Sequence, residues 1–241
     1  MTVMNIKGSV ALVTGANRGL GKALVSALVA AGAAKVYAAA RDGRTAHAEE
    51  SRVVPLTLDI TRPEQIAAAA TKAHDVTLLI NNAGVLTSFH VLTTSREALD
   101  ADFRTHVHGT LDMIRAFLPV LERTRGATIV NVLSLMSLAS VPVFGGYSAS
   151  KAAAYSITQA LRPELRAKDI DILAALPGPI DTDMIRSFPL PKKTSAAEAA
   201  AGLLAGIARG DEEIFPDPMA QQIAALWKTS PKEVERAFAR F

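Results

Sequence analysis

Val10-Ala-Leu-Val-Thr14, running into Gly15-Ala-Asn-Arg-Gly19-Leu-Gly21, decides the fold. The short apolar run ends at a glycine-rich turn, and Lys22 to Ala31 beyond it is apolar and alanine-rich, which predicts strand, turn and helix in that order. Each glycine has a physical use there. Gly15 permits the tight turn, Gly19 lets an anionic group approach the backbone, and Gly21 lets the helix pack near the sheet. The helix N-terminus offers unpaired N–H groups and the positive end of the helix dipole, which suits a pyrophosphate. The spacing G-x-x-x-G-x-G departs from the commoner G-x-G-x-x-G, and a plain glycine-rich connection is the simpler alternative.

The same alternation repeats outward from this unit. Lys35 to Ala40 and Val53 to Leu58 predict strands two and three, and the connection Arg41 to Arg52 is short enough to be mostly loop. Thr61-Arg-Pro63-Glu64 predicts a helix start leading into Gln65 to Ala73. Val76 to Ile80 predicts a fourth strand, ending in the polar turn Asn81-Asn-Ala-Gly84. Arg96 to Leu121 predicts a long helix with Phe103, Val107, Leu111, Ile114 and Leu118 at helical spacing, as core or subunit contacts. Ala127 to Leu133 predicts strand five, Tyr147 to Ala167 a helix interrupted near its end by Pro163, and Ile170 to Leu176 strand six. Ile180 to Thr194 suits a mobile lid, Ser195 a cap for the helix Ala196 to Arg209, and Glu213-Ile-Phe215 a short final strand. A helical tail from about 217 to 241 carries Trp227 and Phe238, which need a burial partner such as a neighbouring subunit. The pattern predicts one α/β domain over residues 1–241: a doubly wound parallel sheet of about seven strands, order 3-2-1-4-5-6-7, with helices on both faces.

Composition narrows the classes. The 241 residues are 49% hydrophobic and 20% charged, which fits a folded globular chain. A net charge of +3 without a basic run longer than Lys192-Lys193 gives no sign of a nucleic-acid partner. With no signal-type start at Met1 to Ser9 and no eighteen-residue apolar run, a soluble, cytoplasmic protein is expected. Cysteine is absent and the five histidines lack zinc-type spacing, so no metal is expected and the chemistry must come from other groups or a cofactor.

The end of strand two carries Ala40 and Arg41, where an NAD site would place an acid for the ribose 2′-hydroxyl. Arg41 and Arg18 are two guanidiniums suited to a 2′-phosphate, which favours NADP. Asp42, one residue late, keeps NAD open, and solvated arginines are the plainer alternative. Downstream, Tyr147-Ser-Ala-Ser-Lys151 places a phenol and an ammonium one helical turn apart, an arrangement expected to stabilise the phenolate and bring proton exchange toward neutral pH. Ser134 stands at the end of strand five; apart from Tyr147 it would be read as a turn former.

Thr14-Gly-x-x-x-Gly-x-Gly21, Asp59, Asn81-Asn-Ala-Gly84, Ser134, Tyr147-x-x-x-Lys151 and Pro177-Gly178 together resemble the short-chain dehydrogenase/reductase superfamily in its roughly 250-residue form, in the family's order. The resemblance implies a Rossmann-like carbonyl reductase or alcohol dehydrogenase using NADP(H). Tyr147 would be its acid/base, Lys151 would lower the tyrosine's pKa and hold the nicotinamide ribose, and Ser134 would bind the substrate oxygen. It also implies cofactor contacts from Gly15, Asn17, Arg18, Gly19, Leu20, Gly21, Arg41, Asp59, Ile60, Asn82, Ala83, Gly84, Pro177, Gly178, Ile180 and Thr182, besides Tyr147 and Lys151. A homodimer or homotetramer is expected. Where family members usually have Asn in an Asn-x-x-Gly setting, this chain has His106-Val-His-Gly109. His106 is then a modified proton relay, a structural histidine or the mark of an impaired relay. Catalytic impairment defines the alternative function, a dinucleotide-binding sensor or scaffold.

Substrate residues are expected among Leu86, Phe89, Met136, Val141, Val143, Phe144, Met184, Phe188 and Leu190, with Phe144, Met184 and Phe188 foremost. All are apolar, which favours an uncharged ketone or aldehyde; Lys192 and Lys193 are either an attraction for an anionic tail or plain surface.

Overall fold

The computed structural model describes residues 4–44, 47, 49–188 and 192–241. Seven parallel strands form its main sheet: β1 (Val10–Thr14), β2 (Lys35–Ala40), β3 (Val53–Thr57), β4 (Leu78–Asn81), β5 (Ala127–Val132), β6 (Ile170–Ala175) and β7 (Glu213–Ile214). Their spatial order is β3-β2-β1-β4-β5-β6-β7, as the sequence predicts, with the reversal between β1 and β4. Crossovers carry α1 (Gly19–Ala30), α2 (Pro63–Lys72), α3 (Arg96–Phe103), α4 (Thr110–Leu121), α5 (Gly145–Arg166) and α6 (Ala196–Arg209). The tail forms α7 (Pro218–Thr229) and α8 (Pro231–Phe238). No helix among the described residues is long and apolar enough to cross a membrane.

Helices cover both faces of the sheet, so its strands are mostly apolar and successive side chains feed opposite cores. Ala11 and Val13 of β1 join Leu24 and Leu28 of α1 and Leu203 and Ile207 of α6. Leu12 between them points the other way, to Ile66 of α2 and to Met113 and Phe117 of α4. Ser195 caps α6 in a reciprocal capping box with Glu198. Pro63 occupies the first turn of α2 as predicted, but Thr61 does not cap that helix; its hydroxyl instead donates to Asp59 Oδ1.

Three expectations need correction. Pro163 does not interrupt α5, which continues to Arg166 because the last turn is held by buried Leu165. The loss of one backbone bond so near a helix end is tolerated there. The predicted helix Arg96 to Leu121 is continuous but underwound in its middle, where Arg104–Gly109 is a π-helical stretch. Of the stripe expected on it, only Ile114 is buried; the core-facing row is Met113, Ile114, Phe117, Val120 and Leu121, and Phe103, Val107, Leu111 and Leu118 stay half-buried. The tail, finally, buries Phe238 within this chain, in a cluster with Leu135, Val141 and Phe144 that Trp227 also joins.

Candidate active site

The carboxyl ends of β1, β4 and β5 open on a cleft of about 860 Å³, within the usual range for ligand sites. The first turn of α1 forms one wall. Arg18 precedes it without a side-chain cap, and no acidic residue occupies the first turn, so the N–H groups and dipole remain open to an anion. Gly15 and Gly19 both have positive φ, 66° and 53°. A Cβ on Gly15 would stand 3.0 Å from Ala83 Cα, and one on Gly19 would stand 3.1 Å from Thr182 Cγ2, so side chains would fill the cradle. Asn82-Ala83 is tied to this turn. Thr14 Oγ1 accepts the N–H groups of Asn82 (3.0 Å) and Ala83 (2.9 Å), and Asn82 Nδ2 donates to the Thr14 carbonyl at 2.8 Å. Beneath them a buried chain runs from Asn81 Nδ2 to Asn131 Oδ1 (2.9 Å) and from Asn131 Nδ2 to Thr158 Oγ1 (2.9 Å), joining β4, β5 and α5.

At the far end Arg18 and Arg41 are exposed and line the cleft. Asp42 does not line it; its Oδ1 accepts the Arg44 N–H at 3.1 Å. Asp59 Oδ1 accepts the Thr61 N–H (2.9 Å) and hydroxyl (2.7 Å). Burial pushes the Asp59 carboxyl up, but these two bonds and the charges of Arg41 and Arg62 more than offset it and leave it below its ordinary value.

Ser134, Tyr147 and Lys151 meet at the other end. Ser134 Oγ accepts the Met136 N–H at 3.1 Å, which leaves its own proton free to donate. Lys151 is buried, its Nζ 5.8 Å from the Tyr147 ring centroid and donating to the Val132 carbonyl at 3.0 Å. Two of its protons are uncommitted by that bond. Burial pushes the ammonium down to about 8, against the pull of Asp102. The phenol differs from expectation: burial first and the Asp102 charge second hold Tyr147 above its ordinary value, and the Ser134 hydroxyl draws it only partly back. Lys151 donates to a carbonyl rather than to the phenolic oxygen, and desolvation sets the direction of the phenol's shift.

All the cofactor residues predicted from the sequence line this one cleft, as do Ser134, Tyr147, Lys151, Phe144, Met184 and Phe188. His106 does not. Its Nε2 accepts the Val85 N–H (3.1 Å), so Nδ1 carries the proton and donates to Ser150 Oγ at 2.9 Å. Burial and the Lys151 charge hold the ring well below its usual pKa, hence neutral. Leu86, Met136, Val141, Val143 and Lys192 line the cleft, Phe89 packs beside it on Phe144 and Phe188, and Leu190 lies outside the described residues. Ile180–Asp181 pairs in parallel with Thr194–Ser195, which clips the base of the segment expected to be a lid.

Sequence reasoning missed Met219, Phe238 and Phe241, which close the apolar end. It also missed Asp217, whose Oδ2 accepts the Gly178 N–H (2.8 Å) while Oδ1 accepts the Ala220 N–H (2.9 Å). Its signal was Asp-Pro directly before an amphipathic run, a helix-start pattern.

A parallel sheet with a glycine turn at its switch point and a Ser–Tyr–Lys end defines a dinucleotide-type oxidoreductase site. The model of the short chain dehydrogenase family matches residues 9–192, so the chain belongs to the short-chain dehydrogenase/reductase family of oxidoreductases. A solved short chain dehydrogenase from Burkholderia cenocepacia J2315, in complex with NADP, is 42% identical with a TM-score of 0.92, covering 98% of this chain and 99% of that one. A family member from Burkholderia phymatum, in complex with NAD, is 26% identical with a TM-score of 0.81 over 93% and 94% of the two chains. The 3-oxoacyl-[acyl-carrier-protein] reductase FabG of Vibrio cholerae serotype O1 is 30% identical over 209 residues, 83% of this chain and 86% of that protein.

Proposed function

We propose that this protein is an NADP(H)-dependent reductase of apolar ketones or aldehydes, or the corresponding alcohol dehydrogenase, with Tyr147 as acid/base. The observation that carries this is the convergence of Ser134, Tyr147 and Lys151 on one end of a cleft whose other end is the glycine turn with Arg18 and Arg41. A nicotinamide dinucleotide fits the residues present: the cradle admits no side chains at Gly15 and Gly19, and the α1 N-terminus is free of acid. When bound it supplies or accepts the hydride. The α1 N–H groups would hold its pyrophosphate, Asp59 the adenine, and Lys151 the nicotinamide ribose. NADP over NAD is supported by the two guanidiniums in the cleft, by Asp42 being engaged with Arg44, and by the NADP complex of the 42%-identical Burkholderia cenocepacia protein.

The chain's own groups divide the proton chemistry. Ser134 donates a hydrogen bond to the carbonyl oxygen and stabilises its developing charge. Tyr147, held as the phenol by burial, delivers the proton to that oxygen; in the oxidative direction it accepts the hydroxyl proton. The neighbouring Lys151 ammonium favours the resulting phenolate. His106, with both nitrogens engaged, positions Val85 and Ser150 rather than relaying protons. Phe144, Phe188, Met184, Met219, Phe238 and Phe241 surround the substrate end, which favours an uncharged apolar carbonyl compound. Copies of the chain are inferred to assemble into a dimer or tetramer through the half-buried face of α3 and α4, in the cytoplasm and without metal.

NADPH and NADH oxidation against a panel of apolar and charged ketones tests this reading. Higher kcat/KM with NADPH and with the apolar members is expected; preference for NADH or for charged substrates contradicts it.

A further inference from the structure

Asp102 of α3 is fully enclosed, one helical turn before His106. Its Oδ1 accepts the Thr87 N–H (3.1 Å) and hydroxyl (2.6 Å); its Oδ2 accepts the Ser88 N–H (3.1 Å) and the Ser88 hydroxyl. The two N–H groups and the Ser88 hydroxyl, with the Thr87 hydroxyl shared between Asp102 Oδ1 and the Ala98 carbonyl at 2.9 Å, fix this loop, since a buried acceptor left unmatched is costly. The loop in turn holds the start of α5. The Phe89 carbonyl accepts the Gly146 N–H at 3.1 Å and the Ser88 carbonyl accepts the Tyr147 N–H at 3.3 Å, satisfying donors that a helix start leaves open. Thr87 and Ser88 of the loop bond Asp102, and Tyr147 and Lys151 of α5 lie within reach of its charge. Lys151 is the one cation among these.

We propose that Asp102 is a positioning residue for Tyr147, which fixes the first turn of α5 through Thr87 and Ser88. Geometry carries this, and the charge of Asp102 also raises the Tyr147 phenol and, against burial, the Lys151 ammonium. The catalytic consequence rests on the reductase reading; the titration of Tyr147 does not.

The chain has three tyrosines, so 13Cζ-tyrosine NMR resolves Tyr147, with assignment by Tyr147→Phe. Asp102→Asn should bring the onset of its titration down by on the order of one pH unit. The double variant Thr87→Val/Ser88→Ala keeps the charge and removes two hydroxyl donors. It should leave the titration in place while lowering kcat for ketone reduction on the order of tenfold, with KM little changed. Should the Asn variant not fold, Asp102→Ser carries the same titration prediction, and the kcat of the double variant decides the positioning role. A double variant with full kcat, or one whose Tyr147 titration shifts as far as that of Asp102→Asn, overturns the proposal. A wild type without ketone turnover would instead sink the reductase reading.

Discussion

Lys151 has two demands placed on it: it is enclosed beneath the sheet's carboxyl ends, and it is charged. Burial disfavours the ammonium and pushes it down to about 8, from 10.5. The sign of the consequence follows from proton counting. Between about pH 8 and 10.5 the unfolded chain retains a proton that the folded chain gives up, so the lysine's contribution to stability rises with pH across that window. Lys151→Met should therefore flatten the stability profile there, by urea unfolding at several pH values between about 8 and 10.5, relative to the wild type. An unchanged slope would mean that the ammonium is not desolvated as the structure requires. The residues themselves were legible in the sequence, but their electrostatic balance was not. Tyr-x-x-x-Lys announces that a phenol and an ammonium share a face; it does not announce the carbonyl of Val132 that draws the ammonium away, nor Asp102 forty-five positions upstream of Tyr147. His106 was legible only as a departure from a pattern. Its tautomer depends on Val85 and Ser150, which periodicity cannot bring together.

At the level of elements, strand identity was readable because strands covered on both faces leave short, mostly apolar runs, and β1, β2, β5 and β6 begin where the runs begin. The capping box of α6 was readable for a similar reason, since its chemistry is confined to four residues. The π-helical stretch was not. One inserted residue of local unwinding is decided by what packs on it, and Gly109 sits where a Cβ would stand 2.7 Å from the Ile60 carbonyl. The burial partner of α8 was also hidden, because an amphipathic helix shows that it has an apolar face and not whose surface receives it. Phe238 found that surface at the cleft of its own chain. The face left half-covered is that of Phe103, Val107, Leu111 and Leu118. If copies assemble through it, Leu111→Asp should shift a dimer or tetramer toward monomer in light scattering, with the fold retained by circular dichroism. A wild type already monomeric at micromolar concentration contradicts the assembly.

Across the whole molecule, the order of the sheet places the glycine turn of β1 beside the Asn81–Gly84 turn of β4 and, one strand further, Ser134 after β5. That neighbourhood is why motifs scattered over most of the chain line a single cleft. It was predictable because parallel crossovers have one hand and ligands gather where strand order reverses. The substrate was not, because its walls come from the segment after Pro177-Gly178 and from the tail, whose placement against Phe144 and Phe188 is a matter of packing rather than pattern. The central claim is that the phenol of Tyr147 exchanges the proton with substrate oxygen in a cofactor-loaded cleft. Its most direct test compares wild type and Tyr147→Phe for NADPH oxidation with an apolar ketone, with NADPH binding followed separately by fluorescence. Turnover should fall by at least about a hundredfold with NADPH affinity retained; undiminished turnover in the Phe variant, or a wild type that binds NADPH and turns over no ketone, would contradict the account.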